Sequence, residues 1–248
     1  MSAPVHASTS AASTFVARGP FVTSVRYHDR ESKPLYVVDK YMPLLRGRVL
    51  DVGADGAQMS RALPFDCEYT GIGIGAPPIL PVDLEARGIP YSSNTFDCVL
   101  CLDVLEHVDG PHRLFDELCR VSRGFVVVSL PNCWAAFWGM LRHGPYRPGR
   151  ALKFYGLPPE APDDRHKWFF HIGEAEEFIR ARAACCHAHV VQIDYEGEEH
   201  LTDWQCELEA LQRAGLVHES IDARSLFAGA MWAVIDVRGI GNACTRRE

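Results

Sequence analysis

The pattern of apolar and polar positions is clearest between residues 96 and 132. An uninterrupted apolar run at residues 99–102 stops at Asp103, which is typical of a strand buried on both faces of a parallel sheet. Apolar side chains then recur at helical spacing over residues 112–122, and a second apolar run follows at residues 125–130. This order predicts a βαβ unit, with Asp103 at the sheet edge where such folds bind their ligands.

The same reasoning predicts the other elements. We expect helices at residues 36–45, 56–63, 134–141, 173–183 and 203–214, and strands at residues 48–52, 68–74, 188–193 and 230–237, with a degenerate strand near residue 82. Prolines at residues 77, 78 and 81 exclude a helix between the second strand and the degenerate one. The alternation of strands and helices predicts an α/β fold, with a mostly parallel sheet of six or seven strands and helices on both faces.

The chain has 248 residues, which is enough for one large α/β domain with its own core. We expect residues 1–20, which are rich in Ala and Ser, to form a disordered leader before a single domain at residues 21–248. Residues 134–170 carry many aromatic side chains, prolines and glycines. We expect this segment to be a lid or insert over the strand ends, because long irregular segments in compact domains are usually functional.

Composition narrows the class of protein. The net charge is −7 and no basic face stands out, so nucleic acid is not an expected partner. No apolar run reaches the ~20 residues that span a bilayer. Nine cysteines without framework spacing fit a reducing cytoplasm. Cys98 and Cys101 spell C-x-x-C, but strand alternation should point them to opposite faces, and we expect no metal site in the chain.

Three stretches in the right order resemble the class I S-adenosylmethionine (SAM)-dependent methyltransferases. Arg-Val-Leu-Asp-Val-Gly at residues 48–53 matches the family's first strand and the start of its glycine-rich loop, and Ile-Pro-Tyr-Ser-Ser-Asn-Thr-Phe-Asp at residues 89–97 matches the lead-in to its fourth strand. Asp-Val-Leu-Glu-His at residues 103–107 matches the branch that carries this motif after that strand. The resemblance covers residues 48–132 well and extends loosely to residue 193. It implies a Rossmann-like fold, SAM as cofactor and methyl transfer as the reaction.

The resemblance also implies which residues bind the cofactor. They belong to the glycine-rich loop, to the adenine end of the site and to the end of the fourth strand: Asp51, Gly53, Ala54, Gly56, Asp83, Leu84 and Asp103. The family places the carboxylate at the position of Asp83 on the adenine amino group, and it places the methionine end of SAM against the strand end that Asp103 closes.

Two departures from the family pattern weaken this assignment. Asp55 and Ala57 replace the second and third glycines of the usual D-x-G-x-G-x-G loop, and Gly73 or a neighbour stands where the family has a ribose-binding acid. Losing a hydrogen bond to a charged acceptor should weaken binding by ~1.5–3 kcal/mol. A second interpretation therefore stays open. In it, the chain has the methyltransferase fold but is catalytically inactive and serves as a binding or scaffold protein.

His107 and His166 are the candidate catalytic residues. A histidine with an ordinary pKa of ~6.5 can accept the proton of a hydroxyl group. His107 could equally cap the next helix or bond to Asp103. His166 lies in the run Asp-Asp-Arg-His-Lys-Trp-Phe-Phe at residues 163–170, where Asp164 could orient it. In the alternative interpretation, the aromatic residues of this run anchor the core and its charges form a solvated rim.

The expected acceptor is a small molecule or a glycan- or lipid-linked compound, methylated on oxygen, and the sequence leaves the oligomeric state open. A nicotinamide-dependent Rossmann enzyme is disfavoured, because the chain has neither G-x-G-x-x-G after the first strand nor an acid after the second.

Overall fold

The computed structural model describes residues 19–75, 77–85, 88–143, 159–161 and 164–239. The strands are β1 (Gly47–Val52), β2 (Cys67–Gly73), β3 (Leu80–Pro81), β4 (Phe96–Leu102), β5 (Ser122–Pro131), β6 (His189–Tyr195) and β7 (Ala230–Asp236). They form one seven-stranded sheet in the order β3-β2-β1-β4-β5-β7-β6. Strands β1 to β5 pair in parallel, and β7 runs antiparallel to both β5 and β6. The predicted α/β class with a mostly parallel sheet is confirmed.

Helices connect these strands. They are α1 (Lys33–Tyr41), α2 (Gln58–Ala62), α3 (Pro111–Val121), α4 (Cys133–His143), α5 (Ile172–Cys185), α6 (Leu201–Arg213) and α7 (Ala223–Phe227), with 3-10 turns at Leu105–His107 and Glu198–His200. The hydrophobic pattern missed α7, which is one turn long and lacks a full apolar period. No helix in the described ranges is long and apolar enough to cross a membrane.

Alternation along β4 builds a core on each face of the sheet. Cys98 and Leu100 pack with Trp232 on one face, whereas Val99 and Cys101 belong to the cluster on the other face. The sequence therefore predicted correctly that the two cysteines of the C-x-x-C run point in opposite directions. All four of these β4 side chains are fully buried, as expected for a strand covered on both faces.

The predicted leader and part of the predicted lid lie outside the described residues. The leader falls there except for its last two positions, and residues 144–158 and 162–163 of the expected lid are also outside. The described parts of the lid are α4 and two segments without helix or strand, at residues 159–161 and 164–170. The division into leader, domain and lid therefore stays a prediction.

Asn132 fixes the chain where it leaves β5, next to the carboxyl edge of the sheet. Its buried amide nitrogen donates hydrogen bonds to the backbone oxygens of Ser225 at 2.9 Å and Ala228 at 2.8 Å. Its side-chain oxygen accepts a hydrogen bond from the backbone nitrogen of Trp134 at 3.1 Å. One side chain thus ties the start of α4 to the segment around α7.

We expect Asn132→Leu to lower the free energy of unfolding by about 2–4 kcal/mol, because buried carbonyl groups would lose their donors. Urea denaturation measures this change. The matched control is Gln212→Leu. The Gln212 amide donates to the carbonyl oxygens of His218, Glu219 and Ile221, but on a largely exposed surface, where water can hydrogen-bond to these oxygens in the variant. Equal losses in the two variants would contradict the role given to Asn132.

Candidate functional site

A cavity of about 320 Å³ opens where the carboxyl ends of β1 and β4 meet. Asp51 and Gly53 reach it from the end of β1, and Asp103 reaches it from the end of β4. Lys33 comes from the first turn of α1, and His166 comes from the segment before α5. Parallel strands deliver these polar groups to one edge of the sheet, as the hydrophobic pattern predicted for Asp103.

Two glycines face each other beneath this cavity. Gly53 has a φ of +78°, and a Cβ added there would lie 2.4 Å from the Val104 side chain. Gly73 ends β2 with a φ of +153°, and a Cβ there would lie 3.3 Å from the Cα of Gly53. A side chain at Gly73 would therefore make a tight contact with the Gly53 backbone, in a backbone conformation that residues other than glycine rarely adopt.

Asp51 lies under the cavity with little access to water. Tyr69 donates a hydrogen bond from its hydroxyl group to Asp51 Oδ2 at 2.9 Å. Burial raises the pKa of Asp51 to about 7, although the hydrogen bond from Tyr69 and the charge of Lys33 act in the opposite direction. The protonation state of Asp51 therefore changes in the neutral pH range.

Asp103 is held between Lys33 and Ser129. Lys33 Nζ lies 2.6 Å from Asp103 Oδ2, and the Ser129 hydroxyl donates to Asp103 Oδ1 at 2.6 Å. Lys33 Nζ also lies 5.1 Å from the centre of the Trp232 ring, within the range of a cation–π interaction. Burial raises the pKa of Asp103, but the charge and hydrogen bond of Lys33 and the Ser129 hydroxyl lower it by more, so Asp103 is an anion at neutral pH.

Asp55, which replaces a family glycine, lies at the rim of the cavity. Its side chain is 69% exposed and forms an ion pair with Arg30. The carboxylate thus turns toward solvent and does not fill the interior near Gly53. Asp55 therefore leaves the space beside Gly53 open, as far as its own side chain is concerned.

The two predicted catalytic histidines meet at the edge of the cavity. The ring centres of His107 and His166 lie 4.6 Å apart. Glu106, which is fully buried, points Oε1 to within 3.8 Å of His107 Nε2 and 3.9 Å of His166 Nε2. Asp164 Oδ1 lies 2.6 Å from the other ring nitrogen of His107, so the structure pairs this carboxylate with His107, whereas the sequence suggested His166.

Backbone and side-chain contacts fix the two segments that carry these groups. The backbone nitrogen of Lys167 donates to the backbone oxygen of Glu106 at 2.8 Å. The indole nitrogen of Trp168 donates to the backbone oxygen of Val108 at 2.8 Å. The Lys167 ammonium also contacts the carboxylates of Glu85 at 2.5 Å and Asp109 at 2.9 Å. His166 is therefore positioned against Glu106 by its own neighbours in the chain.

The structure brings most, but not all, of the predicted site residues to the cavity. Its lining includes both histidines and four of the predicted cofactor residues: Asp51, Gly53, Ala54 and Asp103. Gly56, Asp83 and Leu84 are not among the lining residues. Asp83 accepts a hydrogen bond from the backbone nitrogen of Glu85 at 2.9 Å, and Leu84 packs against the larger core cluster. The role of these three residues stays a prediction.

Arg30 and Lys33 line the cavity although the sequence did not single them out. They precede the predicted first helix and belong to no motif. Lys33 reaches a partner 70 positions later in the chain, and nothing local in the sequence indicates such a contact. Of the three aromatic residues that the alternative interpretation places in the core, Phe170 packs against the larger core cluster, whereas Trp168 and Phe169 are exposed.

A family model described as a methyltransferase domain matches residues 28–187 of the chain. The chain belongs to this methyltransferase family. The match spans the cavity and both histidines, and it confirms the resemblance seen in the sequence. Members of the family use SAM as the methyl donor, so SAM is the cofactor of this domain, as the motifs implied.

The methyltransferase domain also resembles curated proteins. It is 32% identical over 124 residues to the ubiquinone biosynthesis O-methyltransferase of Pseudomonas entomophila strain L48, covering 40% of this chain and 53% of that protein. It is 26% identical over 151 residues to the protein of the same name from Proteus mirabilis strain HI4320, covering 54% and 59%. The chain thus spans about half the length of the curated relatives it matches.

Solved structures share the fold. A SAM-dependent methyltransferase from Archaeoglobus fulgidus has a TM-score of 0.52 at 14% identity, over 83% of this chain and 93% of that one. The cyclase SpnF has a TM-score of 0.50 at 15% identity, over 89% and 86%. Because a cyclase shares this architecture, the fold alone does not decide the reaction, and the site must be argued from its residues.

The residues at the cavity fit the methionine end of SAM. SAM carries an ammonium and a sulfonium cation, and the carboxylates of Asp51 and Asp103 supply negative charge beside the exposed backbone of Gly53. At the ribose end, Gly73 offers no carboxylate.

We expect Asp51→Asn to be more stable than the wild type above pH 7, by roughly 2–4 kcal/mol. The pKa of Asp51 rises from its ordinary value of 3.8 to about 7 in the fold, so the unfolded chain releases this proton first. The contribution of Asp51 to stability is thus lost as the pH rises between these values, and the advantage of the variant should vanish near pH 4.

Urea denaturation at pH 4, 6 and 8 measures this effect. The control is Asp55→Asn, which neutralises an exposed carboxylate on the same loop and should show no gain above pH 7. An advantage of Asp51→Asn that is the same at all three pH values would contradict a raised pKa.

Proposed function

We propose that this chain transfers the methyl group of SAM to a hydroxyl oxygen of a small-molecule acceptor, or of a glycan- or lipid-linked one. The observation that carries the proposal is the pair of imidazoles at the edge of the cavity, with His107 and His166 only 4.6 Å apart. A neutral hydroxyl must lose its proton when it is methylated, whereas a carboxylate acceptor has none to lose. Imidazoles beside the cavity therefore favour a hydroxyl acceptor.

The cofactor-binding residues that we propose are the ones implied by the motifs. Asp51 and Asp103 provide negative charge for the cationic end of SAM, and the backbone at Gly53, Ala54 and Gly56 provides the close approach. Asp83 and Leu84 are proposed for the adenine end. When bound, SAM supplies an electrophilic methyl group, so the protein needs only to position the acceptor, exclude water and accept a proton.

The surroundings of His107 support its role as proton acceptor. The Asp164 carboxylate beside Nδ1 favours the tautomer with its proton on that nitrogen. Nε2 then carries the lone pair that can accept a proton from an acceptor hydroxyl. His166 presents a second imidazole to the same space, and Asp103 is held as an anion by Lys33, which makes it a poor base.

Two further observations support an oxygen-containing acceptor with an apolar part. The curated relatives are named O-methyltransferases. Trp168 and Phe169 are exposed next to His166, and the ring of Phe169 lies 6.3 Å from that of Phe137 on α4. Exposed aromatic side chains at this edge would contact a ring or an acyl chain of the acceptor.

Isothermal titration with SAM and with S-adenosylhomocysteine tests the cofactor site. We expect micromolar binding to the wild type and a loss of about 10–100-fold in Asp103→Asn, equivalent to about 1.4–2.8 kcal/mol. Asp55→Asn is the matched control and should stay within about threefold, because its side chain points to solvent. Absence of binding up to millimolar concentrations would favour the inactive scaffold instead.

Methyl transfer is tested by following S-adenosylhomocysteine formation with phenols and sugars, and with amines and carboxylic acids of similar shape. We expect turnover with hydroxyl compounds, and a fall of about 100-fold or more in His107→Ala and His166→Ala at unchanged SAM affinity. Preferred transfer to amines or carboxylates, or full activity in both variants, would refute the role given to the imidazoles.

A further inference from the structure

Three side chains known as metal ligands converge on one side of the cavity. Glu106 Oε1 lies 3.8 Å from His107 Nε2 and 3.9 Å from His166 Nε2, and the ligand atoms of the three residues all lie within 4.8 Å of one another. This is the one group of its kind in the part of the chain that the structure describes. We propose that Glu106, His107 and His166 bind a divalent transition metal ion.

The donor set selects the kind of ion. Two imidazoles and one carboxylate suit Zn²⁺, Fe²⁺ or Mn²⁺ better than Ca²⁺, which prefers oxygen ligands alone. With metal–ligand distances of about 2.0–2.2 Å, neighbouring ligand atoms around one ion lie about 3–3.5 Å apart. The separations from Glu106 exceed this range by only a few tenths of an ångström, which small side-chain rotations would close.

Asp164 has the place of an outer-shell partner. Its Oδ1 lies 2.6 Å from Nδ1 of His107, on the side of the ring opposite to the Glu106 carboxylate. Histidines that bind metals almost always donate their second ring N–H to a carboxylate, a carbonyl or water, which fixes the tautomer and orients the ring. This contact leaves Nε2 of His107 as the ligand atom that faces His166 and Glu106.

Burial and backbone contacts hold the three ligands in place. The Glu106 side chain is 0% exposed, His166 is 7% exposed and His107 is 19% exposed. A carboxylate removed from water is stabilised by nearby positive charge, which a divalent ion would supply. The hydrogen bond from the Lys167 backbone to the Glu106 backbone ties the two segments together, so the ligand positions are set by the fold.

Three protein ligands leave coordination positions open toward the cavity, as in catalytic metal sites. An acceptor hydroxyl bound at such a position would have a lowered pKa. Its O–H bond would break, the proton would pass to water, and the oxygen would keep the electron pair. This catalytic meaning rests on the proposed function, whereas ion binding itself does not. With an ion bound, the histidines would serve the same hydroxyl acceptor as ligands of the ion, in place of the direct proton transfer to an imidazole proposed above.

Titration of the chelator-treated protein with Mn²⁺ tests the site, because thiolates bind this ion poorly and the nine cysteines should not interfere. We expect one Mn²⁺ per chain. Glu106→Gln, His107→Ala and His166→Ala should each weaken binding by about 30-fold or more, and Asp164→Asn by about 10-fold. Circular dichroism confirms that each variant is folded.

The control is His200→Ala. His200 Nε2 lies 3.8 Å from Glu199 Oε1, the same separation as between His107 and Glu106, but on an exposed surface and without a second histidine. This variant should bind Mn²⁺ like the wild type. No binding to the wild type, or unchanged binding in the variants of all three ligands, overturns the metal site. SAM titration of the metal-free protein separates the two proposals: SAM binding without Mn²⁺ binding refutes the metal site alone.

Discussion

The position of Asp103 is the constraint on which the rest of the cavity depends. Its backbone has a φ of +56°, which is uncommon for a residue other than glycine and more tolerable for Asp than for most. Its backbone nitrogen donates to the backbone oxygen of Ser129 at 3.1 Å, and its carboxylate is held by Ser129 and Lys33. The chain therefore turns sharply after β4, and the 3-10 turn Leu105–His107 that follows carries Glu106 and His107 to the edge of the cavity.

The charges around this turn explain how several acids share a small space. Asp51, Asp103 and Glu106 all line the cavity, and unpaired carboxylates in a buried place would repel one another. Lys33 offsets the charge of Asp103, and Asp51 is partly protonated near neutral pH because burial raises its pKa to about 7. Partial protonation and ion pairing therefore let these acids lie close together at one edge of the sheet.

Local patterns in the sequence predicted much of this arrangement. The apolar run ending at Asp103 gave β4 and the edge of the sheet, and strand alternation gave the opposite directions of Cys98 and Cys101. The family motifs singled out Gly53 and His107, and both residues line the cavity. These features depend on neighbours in the chain or on spacing, which a single sequence records.

Contacts between residues that are far apart in the chain could not be predicted from such patterns. Lys33 meets Asp103 across 70 positions, and Asp164 meets His107 although the sequence suggested His166 as its partner. The absence of an acid at Gly73 was visible in the sequence, but the close approach of Gly73 to the Gly53 backbone depends on how two loops pack. Pairings of this kind are fixed by tertiary structure.

The crystal structure of the protein with S-adenosylhomocysteine is the most direct test of the central claim, that the cavity between β1 and β4 is the cofactor site. We expect the amino-acid end of the ligand to lie beside Gly53 and Asp51, with its sulfur toward Asp103 and the two histidines. Ligand density elsewhere on the protein would contradict this claim. So would the absence of ligand density at saturating concentration, with Arg30 and Lys33 still lining the cavity as they do here.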